Sequence, residues 1–129
     1  MLNSNAGVKT TSYGNVTQIL ANVELQASVG GLVPATSGVE VGAKKIVKAG
    51  TPFVVDLQNR TNVATAADAS HAFNAVLLHD VDVTGNINNN ATFLIFGFVD
   101  LTKVEADVQT LIETALTATG YTPLITFLK

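Results

Sequence analysis

Ala91–Leu101, reading ATFLIFGFVDL, decides how this chain is understood. In an extended strand, alternate side chains point to opposite faces. That alternation places Leu94, Phe96 and Phe98 on one face and Phe93, Ile95, Val99 and Leu101 on the other. A strand apolar on both faces is central in a sheet or lies in a subunit interface. Leu94, Phe96 and Phe98 are therefore the expected subunit contact. Gly97, in the middle of the run, marks a bulge or a close backbone approach.

The neighbouring segments read in the same terms. Upstream, Ala75–Thr84 (AVLLHDVDVT) has two apolar sets at period two: Leu77, Val81 and Val83 on one face, Val76 and Leu78 on the other. Between the two strands, Gly85–Asn90 (GNINNN) is a polar, exposed hairpin tip. Downstream, Thr102 and Glu105 stand in the capping-box relation. Val104, Val108, Leu111, Ile112, Ala115 and Leu116 recur at helical spacing, giving a helix of about four turns. Gly120 and Pro123 end it, and Leu124–Leu128 (LITFL) is a terminal strand.

Further upstream, Lys45–Val47 and Pro52–Leu57 read as shorter strands joined by the turn Ala49-Gly50-Thr51-Pro52. Asn59–His71 is polar and aperiodic, hence a loop. Residues 1–42 are a low-charge stretch rich in Gly, Ala, Ser, Asn, Thr and Val. Here Val16, Ile19, Leu20 and Val23 fit a helical face, whereas Val23, Leu25 and Ala27 fit a strand, and the pattern leaves both open. The expected division is an N-terminal arm over 1–42 and a β-rich domain over 43–129. Val16, Ile19, Leu20, Val23 and Leu25 are the arm residues expected to meet a partner, ordering on contact.

Composition bears on function. The length of 129 residues suits one domain. Hydrophobic residues make up 47% and charged residues 13%, about half the usual charged share. So few charges leave apolar surface to be covered, and subunit contacts are the natural place for it. The net charge of −3 leaves no basic footprint for nucleic acid or an anionic membrane. Lys44, Lys45 and Lys48 read as charges guarding a solvated strand edge. The absence of Cys removes disulfides, thiolate metal sites and Cys nucleophiles. The N-terminus lacks the pattern of a signal peptide, and no apolar run approaches the ~18 residues of a membrane span.

The candidate chemistry is thin. His79, Asp80 and Asp82 cluster, but an extended strand points His79 away from both carboxylates. His71 lies in the predicted loop. No serine sits in a nucleophile elbow, and no glycine pattern forms a phosphate loop. The expectation is a protein that binds, with no enzymatic activity, cofactor, metal or small-molecule substrate.

In order, AKKIVKAGTPFVVDL, AVLLHDVDVTG, ATFLIFGFVDL, a short helix and LITFLK resemble the head decoration proteins of tailed phages, of the type that caps lambda-like capsids. They also resemble the capsid-attached base of phage head-fibre proteins. The G-T-P turn, the AVLLHDVD strand and the GFVD strand carry most of the likeness, which covers about two-thirds of the chain and rests on pattern. The resemblance implies a mainly β (α+β) fold, small and barrel- or sandwich-like, with one C-terminal helix. It implies a homotrimer bound to the major capsid protein on the exterior of the virion, synthesised in the bacterial host cytoplasm, with no catalysis or cofactor. A head-fibre base or an adhesin-type trimeric module is the alternative. The longer N-terminal stretch departs from the compact lambda-like pattern.

Overall fold

The structure, a computed structural model, describes residues 18–118 and 124–129. It is mainly β, with two sheets and one α-helix near the C-terminus among these residues. The strands are β1 (Ala27–Val33), β2 (Val39–Val41), β3 (Lys44–Val47), β4 (Pro52–Val54), β5 (Thr65–Ala66), β6 (Ala75–Leu77), β7 (Val81–Asp82), β8 (Asn89–Asp100) and β9 (Leu124–Leu128). The helix α1 spans Ala106–Ala115.

β8 organises the molecule. β1, β6 and β9 all pair with it in a six-stranded sheet that continues from β6 through β4 to β5. β1 and β6 run antiparallel to β8 and β9 runs parallel. The second sheet has the order β2-β3-β7. The Ala75–Thr84 stretch joins the sheets: it breaks over Leu78–Asp80, where the Asp80 carboxylate accepts the Ala49 N–H at 2.7 Å. β6 therefore stays beside β8 while β7 pairs with β3. The two apolar sets of that stretch still part as their alternation requires. Val76 and Leu78 enter one core cluster, and Leu77, Val83 and the half-buried Val81 join the other.

Those clusters lie on the two sides of the large sheet. On one side α1 lays Val108, Ile112 and Ala115 against Val76, Leu94, Val99 and Ile125. On the other, Phe53, Leu77 and Phe93 meet Val47 of the small sheet, with Phe53 and Phe93 edge to face at 5.6 Å.

Several expectations need correction. Residues 18–42 are not an arm separate from the 43–129 domain. β1 pairs with β8 from Asn89 to Phe96, and Ile19, Leu20, Val33 and Ala35 are buried in the core. Past β1, Leu20 bridges Val99, with the Ala21 N–H donating to the Phe98 carbonyl. The buried anchors of this stretch are few, Ile19, Leu20, Val33 and Ala35, and the pairing of β1 with β8 does the rest. Residues 1–17, including Val16, lie outside the described residues, as do Gly120 and Pro123.

The helix is also shorter than expected. Thr102 sits in a 3-10 turn, Leu101–Lys103, where the Asp100 carboxylate accepts its N–H at 3.0 Å and its hydroxyl at 2.6 Å. Glu105 is the N-cap position but makes no capping hydrogen bond, because Lys48 holds its carboxylate at 3.0 Å. β3, with its lysines, is the middle strand of its sheet and not an edge. The predicted loop over Asn59–His71 contains the short strand β5 and buried Ala64 and Ala67. β4 ends at Val54, where the Asn74 side chain takes over the Val55 N–H at 2.8 Å. The turn before β4 uses Gly50 at φ +93°, a conformation open to glycine and poorly to other residues.

Candidate functional site

The apolar face expected on Leu94, Phe96 and Phe98 is split by a bulge. The β1 register slips between Ala27 and Ser28, which pair with Phe96 and Leu94 and leave Ile95 as the extra residue. A bulge puts two consecutive side chains on the same side of the sheet. Ile95 packs with Phe93 against the small sheet, and Phe96 follows on that same side. Leu94 points the other way and is fully buried beneath α1. It belongs to the core of its own chain and cannot take part in the expected subunit contact. Gly97, at φ +151°, follows directly, and a Cβ there would stand 3.3 Å from the Leu25 carbonyl oxygen. Both expectations for Gly97, a bulge and a close backbone approach, thus meet within three residues.

What remains is a sheet face with nothing over it among the described residues. Phe96 lies between Ala27 on β1 and Leu124 on β9, and Phe98 lies beside Thr126. Phe96 is 45% exposed, Leu124 63% and Leu128 44%, while Phe98 is half-buried. On the opposite side of the same strands, Val99 and Ile125 are buried under α1. Sequence alternation found the apolar character of this face but could not locate the bulge that sets its membership.

Of the arm residues expected to meet a partner, Ile19 and Leu20 are core residues, whereas Val23 and Leu25 are more than half exposed. A second feature lies over the β1–β8 pair at Gly30–Leu32 and Asn90–Ala91, beside the Leu57–Thr61 loop. An open groove of about 640 Å³ runs between Gly30-Gly31, Asn90-Ala91 and the Leu57–Thr61 loop. The Asp56 carboxylate braces that loop by accepting from the Gln58 and Asn59 N–H groups and the Asn62 amide, which holds its pKa below the ordinary value. From the loop, the Arg60 guanidinium donates to the Gly30 carbonyl at 3.2 Å.

The polar residues weighed for chemistry do not converge. His71 Nδ1 lies 2.8 Å from Asp68 Oδ1 in an exposed turn, and the Asp68 carboxyl is lowered chiefly by that contact. His79 is exposed at the break between β6 and β7. Asp80 is committed to the Ala49 amide, and Asp82 accepts from Thr84. Among the described residues no three His, Asp or Glu side chains are placed to hold a metal ion, and no helix is long and apolar enough to cross a membrane. One charged cluster is a clamp: Lys48, 16% exposed, reaches Glu105 at 3.0 Å and Asp107 at 3.1 Å. It fastens the start of α1 to the small sheet, and the lysine is held above its ordinary pKa mainly by the Glu105 contact. Comparison with models of known protein families and with curated proteins returns no match.

Proposed function

We propose that this chain is a capsid decoration protein of tailed phages, binding as a homotrimer to the major capsid protein on the outside of the mature head and strengthening the shell. The observation that carries the reading is the apolar face of Phe96 and Phe98 on β8 and of Leu124 and Leu128 on β9, left largely uncovered among the described residues. A row of this kind suits burial in a symmetric contact better than exposure to water. The succession of strand, strand, helix and strand that carries the likeness to decoration proteins supplies the biological setting, and such a protein would bind and not catalyse.

The physics of the role follows from assembly. Three modest contacts made by one trimer act together, because the second and third engage at high effective concentration. A ligand that binds only the intact lattice raises the stability of that lattice. The groove beside the Leu57–Thr61 loop favours a second reading, the base of a head fibre or an adhesin-type trimeric module, in which that groove meets a further partner.

Electron microscopy of expanded heads incubated with the purified protein tests the proposal. Three-fold density on the outer surface, with heads that survive higher temperature, is the expected result. Bare heads beside a folded protein would overturn it.

A further inference from the structure

The groove over the β1–β8 pair has a wall and a floor of different kinds. Its wall is the Leu57–Thr61 loop, and its floor is bare backbone at Gly30 and Gly31, with Asn90 and Ala91 of β8 alongside. At about 640 Å³ it falls within the roughly 300–1,000 Å³ of ligand clefts. Packing demands a glycine at 31, where a Cβ would stand 2.9 Å from the Phe93 ring. It demands none at 30, where a Cβ would meet no atom within 4 Å. A glycine inside a strand often marks the close approach of a ligand or another backbone.

The wall is held in shape by its own side chains. The Asp56 carboxylate accepts the Gln58 N–H at 3.0 Å, the Asn59 N–H at 3.1 Å and the Asn62 amide at 3.0 Å. The Asn62 N–H donates to the Asn59 carbonyl at 3.1 Å, and the Thr61 hydroxyl donates to the Asn59 side-chain oxygen. A wall already formed spares a ligand the entropy of ordering it.

The lining narrows the chemistry of that ligand. Gln58, Asn59 and Asn90 bring side-chain amides to the groove. An amide carries both donors and an acceptor, as a hydroxyl does, so a row of amides suits a polyhydroxylated ligand. Arg60 is the one charged residue of the lining, and its guanidinium gives one N–H to the Gly30 carbonyl. Its other N–H groups have no protein partner among the described residues, and a guanidinium pairs closely with a carboxylate. No aromatic side chain lines the groove for a base to stack on, and a single cation does not track a phosphate backbone. Leu32, Leu57 and Ala91 are too few to make it a hydrophobic pocket.

We propose that this groove binds an acidic saccharide, with Arg60 on its carboxylate, the side-chain amides on its hydroxyls and a sugar ring over the backbone at Gly30. The inference rests on the second reading, in which the groove meets a further partner, and gives that partner its chemical class. It does not depend on decoration or on a trimer.

Nuclear magnetic resonance of the full chain, following backbone amides during titration with trigalacturonate, neutral maltotriose and sodium acetate, tests this. Trigalacturonate should give saturable shifts at Gly30, Gly31 and Leu57–Thr61. Losing the pair between carboxylate and guanidinium should weaken binding about tenfold, whether maltotriose replaces the acid or Arg60→Gln replaces the cation. Gly30→Leu, which adds bulk where the space is open, should abolish the shifts with circular dichroism unchanged. Should that variant fail to fold, Arg60→Gln still decides. Acetate binding as tightly as trigalacturonate overturns the saccharide, and maltotriose binding as tightly overturns its acidic character. No saturable shift with trigalacturonate, or shifts elsewhere on the molecule, overturns the proposal outright. No head enters this experiment, so three-fold density on heads judges the decoration reading separately.

Discussion

The two halves of β8 live in different surroundings. Over Phe93–Ile95 the strand is covered on both sides, by α1 through Leu94 and by the small sheet through Phe93 and Ile95. From Phe96 to Asp100 α1 covers one side, through Val99, while on the other, among the described residues, Phe96 is exposed and Phe98 half-buried. The bulge opposite Ala27-Ser28 is the boundary. One continuous apolar strand thus serves as core in its first half and as surface in its second, and composition alone cannot tell the halves apart. Burial in the first half is settled within the chain, whereas in the second Phe96 stays 45% exposed among the described residues.

The largest expected effect comes from removing what lies alongside β8. A chain beginning at Val41 loses β1 and the segment around Leu20, and with them the buried Ile19, Leu20, Val33 and Ala35. Each fully buried aliphatic side chain contributes about 1.5–3 kcal/mol. Their sum approaches the roughly 5–15 kcal/mol that holds a whole domain folded. Such a chain should show no cooperative thermal transition by circular dichroism. A sharp transition retained would mean that β8 does not need this edge partner and that residues 1–42 are an arm after all.

Next in size is a pair of substitutions across the bulge. Leu94→Ala empties a fully buried site and should lower stability by about 2–5 kcal/mol in urea unfolding. Phe96→Ser, two residues on, should change the unfolding of the monomer by about 1 kcal/mol or less while disrupting self-association. Equal losses of monomer stability at the two positions would erase the distinction between the halves.

Much of this architecture is legible in the sequence. The strand at Ala91–Leu101, the apolar stripe of α1, the terminal strand and the two faces of Ala75–Thr84 follow from period alone. The rest depends on contacts distant in sequence. Leu94 parts from Phe96 because of a slip against Ala27-Ser28, and nothing local announces it. The capping box fails because Lys48, far upstream, takes Glu105 while Asp100 takes Thr102. Residues 18–42 resemble an arm because Gly, Ala, Ser and Val build a strand paired to β8 as readily as a loose tail. At the candidate site, exposure separates Val23 and Leu25 from the buried Ile19 and Leu20, and exposure is a property of the assembled sheet.

The smallest expected effect tests the clamp that keeps α1 over the covered side. Lys48 is held above 10.5 by Glu105 and then Asp107, so its contribution is complete below that pH and fades as pH rises through the folded value. Asp107 is held below 3.8, chiefly by Lys48, so its contribution is present above that pH and fades as pH falls through the folded value. Asp56, Asp68, Asp82 and Asp100 are lowered as well, by hydrogen bonds from neighbouring side chains and amides, and they share that sign. These carboxylates are exposed, apart from the half-buried Asp100, so each effect is small and screened by salt. The melting temperature should therefore stay level through neutral pH, fall below about pH 4 and fall more gently above about pH 10.5. In Lys48→Met the alkaline fall should vanish, and the acid fall should persist in reduced form on the remaining carboxylates. If the variant keeps the alkaline fall, the clamp does not hold α1, and both halves of β8 owe their cover on that side to apolar packing alone.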